Sequence, residues 1–131
     1  MQVREVMSED VITITPGLSL RGAAKLMAEK KVGSVVVNDP EGQGVGIITE
    51  RDILRAVADD RDVDVEITGS HITSELVYAA PRWTLEEATE AMRRGGFRHL
   101  VVLDGGEVIG IISLRDVVKA WTPESAHAAS Q

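Results

Sequence analysis

The chain contains no cysteine, which excludes disulfides, thiolate nucleophiles and Cys-ligated zinc. Aromatic residues are scarce, with two Trp, one Tyr and one Phe in 131 residues. The core must therefore be aliphatic, built from the Val, Ile, Leu and Ala that suit buried strands faced by helices. No apolar run approaches the roughly 20 residues that span a bilayer. The opening Met-Gln-Val-Arg-Glu-Val-Met lacks the apolar core of a signal peptide. Positive charge is also short: 14 Lys and Arg stand against 21 Asp and Glu, a net charge of −7. Such a chain has no broad basic face for nucleic acid or an anionic membrane. A nucleotide is still allowed, because its phosphates need only a local positive cluster. A soluble, cytoplasmic protein with no nucleic-acid or membrane partner is expected.

What is present is a repeat. Residues 12–39 read ITITPGLSLRGAAKLMAEKKVGSVVVND, and residues 77–104 read VYAAPRWTLEEATEAMRRGGFRHLVVLD. Displaced by 65 residues, Pro16 falls on Pro81, Leu20 on Leu85, Ala23 on Ala88, Met27 on Met92 and Val36 on Val101. After a one-residue length change the match resumes, with GIITERDI at 46–53 facing GIISLRDV at 110–117.

Both copies predict the same elements. A short strand (Val11–Ile14, Leu76–Ala79) stops at a proline. Ser19 and Thr84 then read as N-caps, the second with Glu86 and Glu87 in its first turn. The helix that follows carries apolar residues at helical spacing and ends near Gly33 or Gly95-Gly96. Two strands come next, Ser34–Val37 and Val45–Thr49 in one copy, His99–Leu103 and Val108–Ser113 in the other. A last helix closes each copy, Arg51–Val57 and Arg115–Trp121. The expected fold is α/β (α+β): two β-α-β-β-α repeats packed as a pseudo-two-fold pair. The first repeat occupies residues 1–60, an acidic linker 61–71, the second repeat 72–122, and 123–131 form a disordered tail. One such unit buries little surface by itself, so the repeats should pack on each other and leave clefts, the default ligand sites. Apolar residues of the last helices, Ile53, Leu54, Val57, Val117, Val118 and Trp121, suggest surface left over for a homodimer.

The doubled ending motif carries the chemistry. A buried strand runs out at Thr49 into a helix N-terminus with Asp52 three residues on, and Ser113 and Asp116 repeat this. Backbone N–H groups at such a junction attract anions, a Thr or Ser hydroxyl adds a hydrogen bond to phosphate, and the Asp can accept from ribose hydroxyls. Arg51 and Arg115 stand beside it with guanidinium geometry suited to phosphate. Ser/Thr-x-x-Asp is equally a capping box. Capping and ligand binding can coexist, and both readings stay open. The one dense positive cluster, Arg93 to His99, divides: Arg93 and Arg94 complement a helix C-terminus, whereas Arg98 and His99 either reach phosphate at the inter-repeat cleft or are solvated. The first repeat has Gly33 and Ser34 there.

Other candidates carry nothing. GQGVG at 42–46 lies in a strand–strand turn with no helix after it and reads as a hairpin. His71, His99 and His127 lack metal spacing, and no nucleophile–base or paired-carboxylate set is visible, so neither a metal site nor an enzyme is expected.

These residues resemble a known family. The doubled β-α-β-β-α unit ending in Gly-Ile-Ile-[Thr/Ser]-x-Arg-Asp-[Ile/Val] is similar to the cystathionine-β-synthase-type (CBS) domain in its tandem form, the Bateman module, over about residues 1–122. The resemblance implies regulatory binding of AMP, ADP, ATP or S-adenosylmethionine in the clefts, with no required cofactor. It implies that Asp52 and Asp116 hold ribose, that Thr49, Ser113, Arg98, His99 and Arg115 face phosphate, and that Val11 and Ile12, or Leu76 and Val77, line the adenine. Gly33-Ser34 makes the Asp52 cleft the poorer phosphate site. A stand-alone pair of this kind would act as a homodimer on an unidentified protein target in trans. The alternative is an interaction scaffold whose clefts stay empty.

Overall fold

A computed structural model describes residues 1–39, 44–72 and 78–121. The chain divides into two compact units, and neither is a continuous stretch of one repeat and its own leader. The first is Ile12–Glu75; the second is Met1–Val11 together with Leu76–Gln131.

In the first unit β1 (Thr13–Ile14) pairs parallel with β2 (Ser34–Asp39), which pairs antiparallel with β3 (Gly44–Thr49). Helices α1 (Leu20–Lys30) and α2 (Glu50–Ala58) complete it. The second unit repeats this with β4 (Tyr78–Ala79), α3 (Leu85–Gly95), β5 (His99–Asp104), β6 (Glu107–Ser113) and α4 (Leu114–Ala120). The chain is thus a mixed α/β protein with two three-stranded sheets. Of the GQGVG segment, Gly44, Val45 and Gly46 open β3, antiparallel to β2, and residues 40–43 are outside the described residues.

Helix placement follows local chemistry. Ser19 and Thr84 are the N-caps, their hydroxyls accepting from Gly22 and Glu87 N–H. Leu20, Ala23 and Met27 bury one face of α1, and Ala88 and Met92 the corresponding face of α3. One expectation fails: α1 ends at Lys30, and Lys31, not Gly33, takes the left-handed cap at φ 57°. In the second unit Gly96 does this at φ 71° without steric cost. The short strand β1 begins later than expected, at Thr13; β4 is described from Tyr78, and Leu76 and Val77 lie outside the described residues, as does the tail beyond Trp121.

Val35, Val37 and Ile48 face α1 in one core, and Leu100, Val102 and Ile112 belong to its twin. Val36, Ile47 and Val101 alternate to the opposite sheet face and are also buried. The central strands are therefore apolar on both faces, which explains their unbroken β-branched runs.

Residues of the presumed linker are part of the first unit. Leu20 and Arg21 N–H donate to the Glu66 and Val63 carbonyls, and Thr68 and Gly69 N–H to those of Leu18 and Pro16. Thr68 is fully buried, its hydroxyl donating towards the carbonyls of Thr15 and Pro16 at 3.3 Å. The N-terminus makes the same contacts on the second unit. Leu85 N–H donates to Met1 O, Val3 N–H to Trp83 O and Arg4 N–H to Pro81 O, and Val3 is fully buried. Each arm precedes one repeat in sequence and packs with the other.

The arms explain the glycine that opens each motif. A Cβ on Gly110 would stand 2.6 Å from Met7 Sδ and 2.8 Å from the Ser8 carbonyl oxygen. A Cβ on Gly46 would meet Ile72 at 3.0 Å. No helix among the described residues is long and apolar enough to cross a membrane.

Candidate functional site

Each unit presents one corner where its last strand turns into its last helix. In the first, Thr49 is extended (φ −114°, ψ 163°) and caps α2. Its N–H and hydroxyl donate to Asp52 Oδ2 at 2.8 and 3.0 Å, and Asp52 N–H donates back to Thr49 Oγ1 at 3.3 Å. In the second, Ser113 N–H donates to Asp116 Oδ2 at 2.8 Å and Asp116 N–H to Ser113 Oγ at 3.1 Å. Both capping boxes are made. The next N–H is committed too, from Glu50 to the Gly33 carbonyl and from Leu114 to the Arg98 carbonyl.

This corrects the expectation of an anion site built from free backbone N–H groups. The fold consumes the N–H of the cap and of the first and third helical positions at both corners. An anion there depends mainly on side chains, with three of the four backbone N–H groups from the cap to the third helical position already committed. The carboxylates keep capacity: among the described residues, Asp52 and Asp116 accept through Oδ2, leaving the lone pairs of Oδ1 for other donors. Both aspartates are half-buried and face solvent in part.

The two corners differ. The register sets His99 opposite Ser113 and Ser34 opposite Thr49, so the second corner gathers Arg98, His99, Ser113, Arg115 and Asp116. The first gathers Gly33, a buried Ser34, Thr49, Arg51 and Asp52. The Thr49 hydroxyl gives its proton to Asp52. The Ser113 hydroxyl accepts from Asp116 and donates to no described residue, so its proton is available to a ligand. Arg98 and Arg115 are exposed, and His99 is half-buried.

The remaining positions separate. Ile12 packs on the core of the first unit and its carbonyl accepts from Val36 N–H at 2.9 Å, while Val11 belongs to the second unit and donates to Glu9 O. Arg93 and Arg94 lie in the last turn of α3, as expected for cations at a helix C-terminus. Both turn back one helical turn to Glu90, at 2.6 and 3.0 Å, and their hydrogen bonds push the Glu90 carboxyl down to about 2. The expected positive cluster is therefore half neutralised. Sequence reading also missed two cavities of the second unit, one of about 540 Å³ by Trp83 and one of about 570 Å³ by Arg4 and Arg82. Neither includes Ser113 or Asp116. Nothing in the primary order joins Arg4 to Arg82; the exchanged arm does. Among the described residues no group of three His, Cys, Asp or Glu could hold a metal ion.

Fold and corners together define a tandem-repeat α/β protein with one strand–cap–helix corner per unit. The CBS domain family matches residues 3–59 and 65–122. The chain belongs to the CBS domain family. It is 34% identical over 131 residues to the CBS domain-containing protein YhcV of Bacillus subtilis, covering 97% of this chain and 91% of that one. An uncharacterised protein of Methanocaldococcus jannaschii is 36% identical over 89% of this chain, which spans 41% of that relative's length. Among solved structures, a CBS domain protein from Pyrobaculum aerophilum complexed with AMP superposes with a TM-score of 0.84 at 26% identity, covering 99% of this chain and 98% of that one.

Proposed function

We propose that this chain is a regulatory module that binds an adenosyl ligand and transmits its presence in trans, as a homodimer, to a protein target in the cytoplasm. The ligand is AMP, ADP, ATP or S-adenosylmethionine, and no catalysis is involved. The observation that carries this reading is the second corner, where strand register and helix start bring Arg98, His99 and Arg115 to the same end as an uncommitted Ser113 hydroxyl proton and a carboxylate with an oxygen to spare. Asp116 Oδ1 takes the ribose hydroxyls, Ser113 and the arginines take phosphate, and the adenine rests on the first-strand residues Val11 and Ile12. Asp52 and Thr49, with Leu76 and Val77, form a weaker counterpart, because Gly33 and Ser34 supply no charge and the Thr49 proton is already spent. The AMP complex of the Pyrobaculum relative supports the ligand class. Leu54 and Val57 on α2, and Val118 on α4 with its cap residue Trp121, are each more than half exposed, so each unit carries apolar surface suited to a second copy. Ligand shifts the module only through different affinity for its two arrangements.

The test compares D116A with D52A. Both break one capping box and so cost about 1 kcal/mol of stability alike, which makes stability an internal control. Wild-type protein at a hundred times the dissociation constant gains about 2.7 kcal/mol from its ligand. The expected result is that D116A abolishes the thermal shift with AMP, ADP, ATP or S-adenosylmethionine while D52A retains it. No shift in the wild type would establish the scaffold reading, in which the boxes serve only as caps, and equal shifts in both variants would remove Asp116 from the ligand site.

A further inference from the structure

The second unit holds an arginine pair that the candidate adenosyl corner does not use. Arg4 N–H donates to the Pro81 carbonyl and Val3 N–H to that of Trp83, so the arm lays Arg4 beside Arg82. Both line a cavity of about 570 Å³ with Asp104, Leu103 and Ile109. That volume is within the range of small-molecule sites. Both side chains are exposed, and neither makes an ion pair or hydrogen bond with a described residue. In contrast, Arg93 and Arg94 of the same unit are spent on Glu90, and Arg98 and Arg115 stand at the candidate adenosyl corner. The cavity lies at the Asp104 end of β5, and Ser113 pairs with His99 at the other end, roughly 16 Å away along the strand.

The repeat supplies its own control. At the displaced positions of the first unit stand Gly69 for Arg4 and Gly17 for Arg82, where the same backbone contacts form. A Cβ at Gly17 would have nothing within 4 Å, whereas one at Gly69 would stand 2.7 Å from Pro16 Cβ, so the first unit forms the contact with no side chain at either position. The arm contact therefore needs neither guanidinium, and two adjacent unneutralised cations in a chain of net charge −7 have no structural task. Two guanidiniums match the charge of one phosphoryl dianion and offer forked donors to its oxygens. Asp104 across the cavity repels a bare anion but accepts from hydroxyl groups of a ligand that carries both, and Leu103 and Ile109 cover its carbon frame.

We propose that this cavity is a second ligand site, distinct from the adenosyl corner and confined to one unit, that binds a small phosphorylated polyol through Arg4 and Arg82, with Asp104 holding its hydroxyls. The proposal stands independently of the adenosyl reading.

The experiment is an NMR titration of the full chain, following the Arg82 and Gly105 amides and the arginine Nε signals. Glycerol 3-phosphate, inorganic phosphate and glycerate are the probes. Glycerol 3-phosphate should saturate, with affinity about tenfold above inorganic phosphate or glycerate, and R4A/R82A should lower it by about tenfold or more. D104N should weaken glycerol 3-phosphate and leave inorganic phosphate unchanged or improved. A melting temperature close to wild type, and Ser113 and Asp116 amide signals that R4A/R82A and glycerol 3-phosphate leave unmoved, show that the variant is folded and separate this site from the corner. Linear, unsaturating shifts, or saturation that survives R4A/R82A, would overturn the site. Glycerate binding as tightly as glycerol 3-phosphate would overturn the phosphoryl assignment.

Discussion

Adding one methyl group at Gly110 tests the exchanged arm directly. In G110A the new Cβ would stand 2.6 Å from Met7 Sδ and 2.8 Å from the Ser8 carbonyl oxygen. The thioether end can swing away; the carbonyl cannot. Ser8 is held from both sides, its N–H donating to Ile111 O at 2.8 Å and its oxygen accepting from Ile111 N–H at 3.0 Å. Relieving the overlap breaks both bonds, each worth about 1 kcal/mol net, and disturbs Met7 on the core. The loss should total about 2–3 kcal/mol, the scale of an overpacked core. For a chain of this size that is roughly 6–12 °C in melting temperature. G46A is the matched control, since its Cβ meets only the Ile72 side chain, at 3.0 Å or more, and it should cost about 1 kcal/mol or less. Urea unfolding gives the two energies, and hydrogen exchange should show the Ser8 and Ile111 amides losing protection in G110A alone. Equal losses in the two variants, or undiminished protection of those amides, would refute the arm-based account of the motif glycine.

Three further outcomes follow from particular residues. The Glu90 carboxyl, held down to about 2 by hydrogen bonds from Arg93 and Arg94, should return to the ordinary carboxylate range in R93A/R94A, read by carbon-detected NMR titration. Because its value is depressed in the folded chain, the contribution of this exposed cluster is present above the usual carboxylate range and is lost as pH falls towards 2. K31G should raise stability by about 1 kcal/mol by relieving the left-handed lysine that caps α1; an unchanged or lower denaturation midpoint would contradict that. S113A should cost about 1 kcal/mol from the lost cap and also weaken adenosyl binding, whereas T49A should cost the same stability and leave binding intact, by calorimetry.

Much of the candidate site was legible in sequence because its parts are local. Thr49 and Asp52, or Ser113 and Asp116, lie three residues apart, and a strand running into a helix dictates their meeting. The opposition of His99 to Ser113 follows from pairing two adjacent strands. Arg93 and Arg94 stand in the last turn of α3 as expected, and their pairing with Glu90 one turn back is a second interaction of the same turn, which the reading of the helix end did not include. The commitment of the junction N–H groups needed the Gly33 and Arg98 carbonyls, which only the assembled sheet brings to the helix starts.

The sequence by itself determined the doubled β-α-β-β-α unit, the caps, the aliphatic strands and the paired Asp corners, since each rests on periodicity or contacts a few residues apart. The tertiary structure alone decided which arm completes which unit. Met1–Ser8 and Glu66–Thr73 share no residue at equivalent positions, yet Val3 and Thr68 are both fully buried at matching places. One fills its site with methyl groups and the other satisfies two carbonyls with a hydroxyl, so a β-branched shape, not an identity, is what the site selects. Such arm contacts are mostly backbone hydrogen bonds, which any side chain can make, and they leave no trace in the order of residues. The same exchange set Arg4 beside Arg82, a juxtaposition that chain folding creates between positions with no sequence relation to each other.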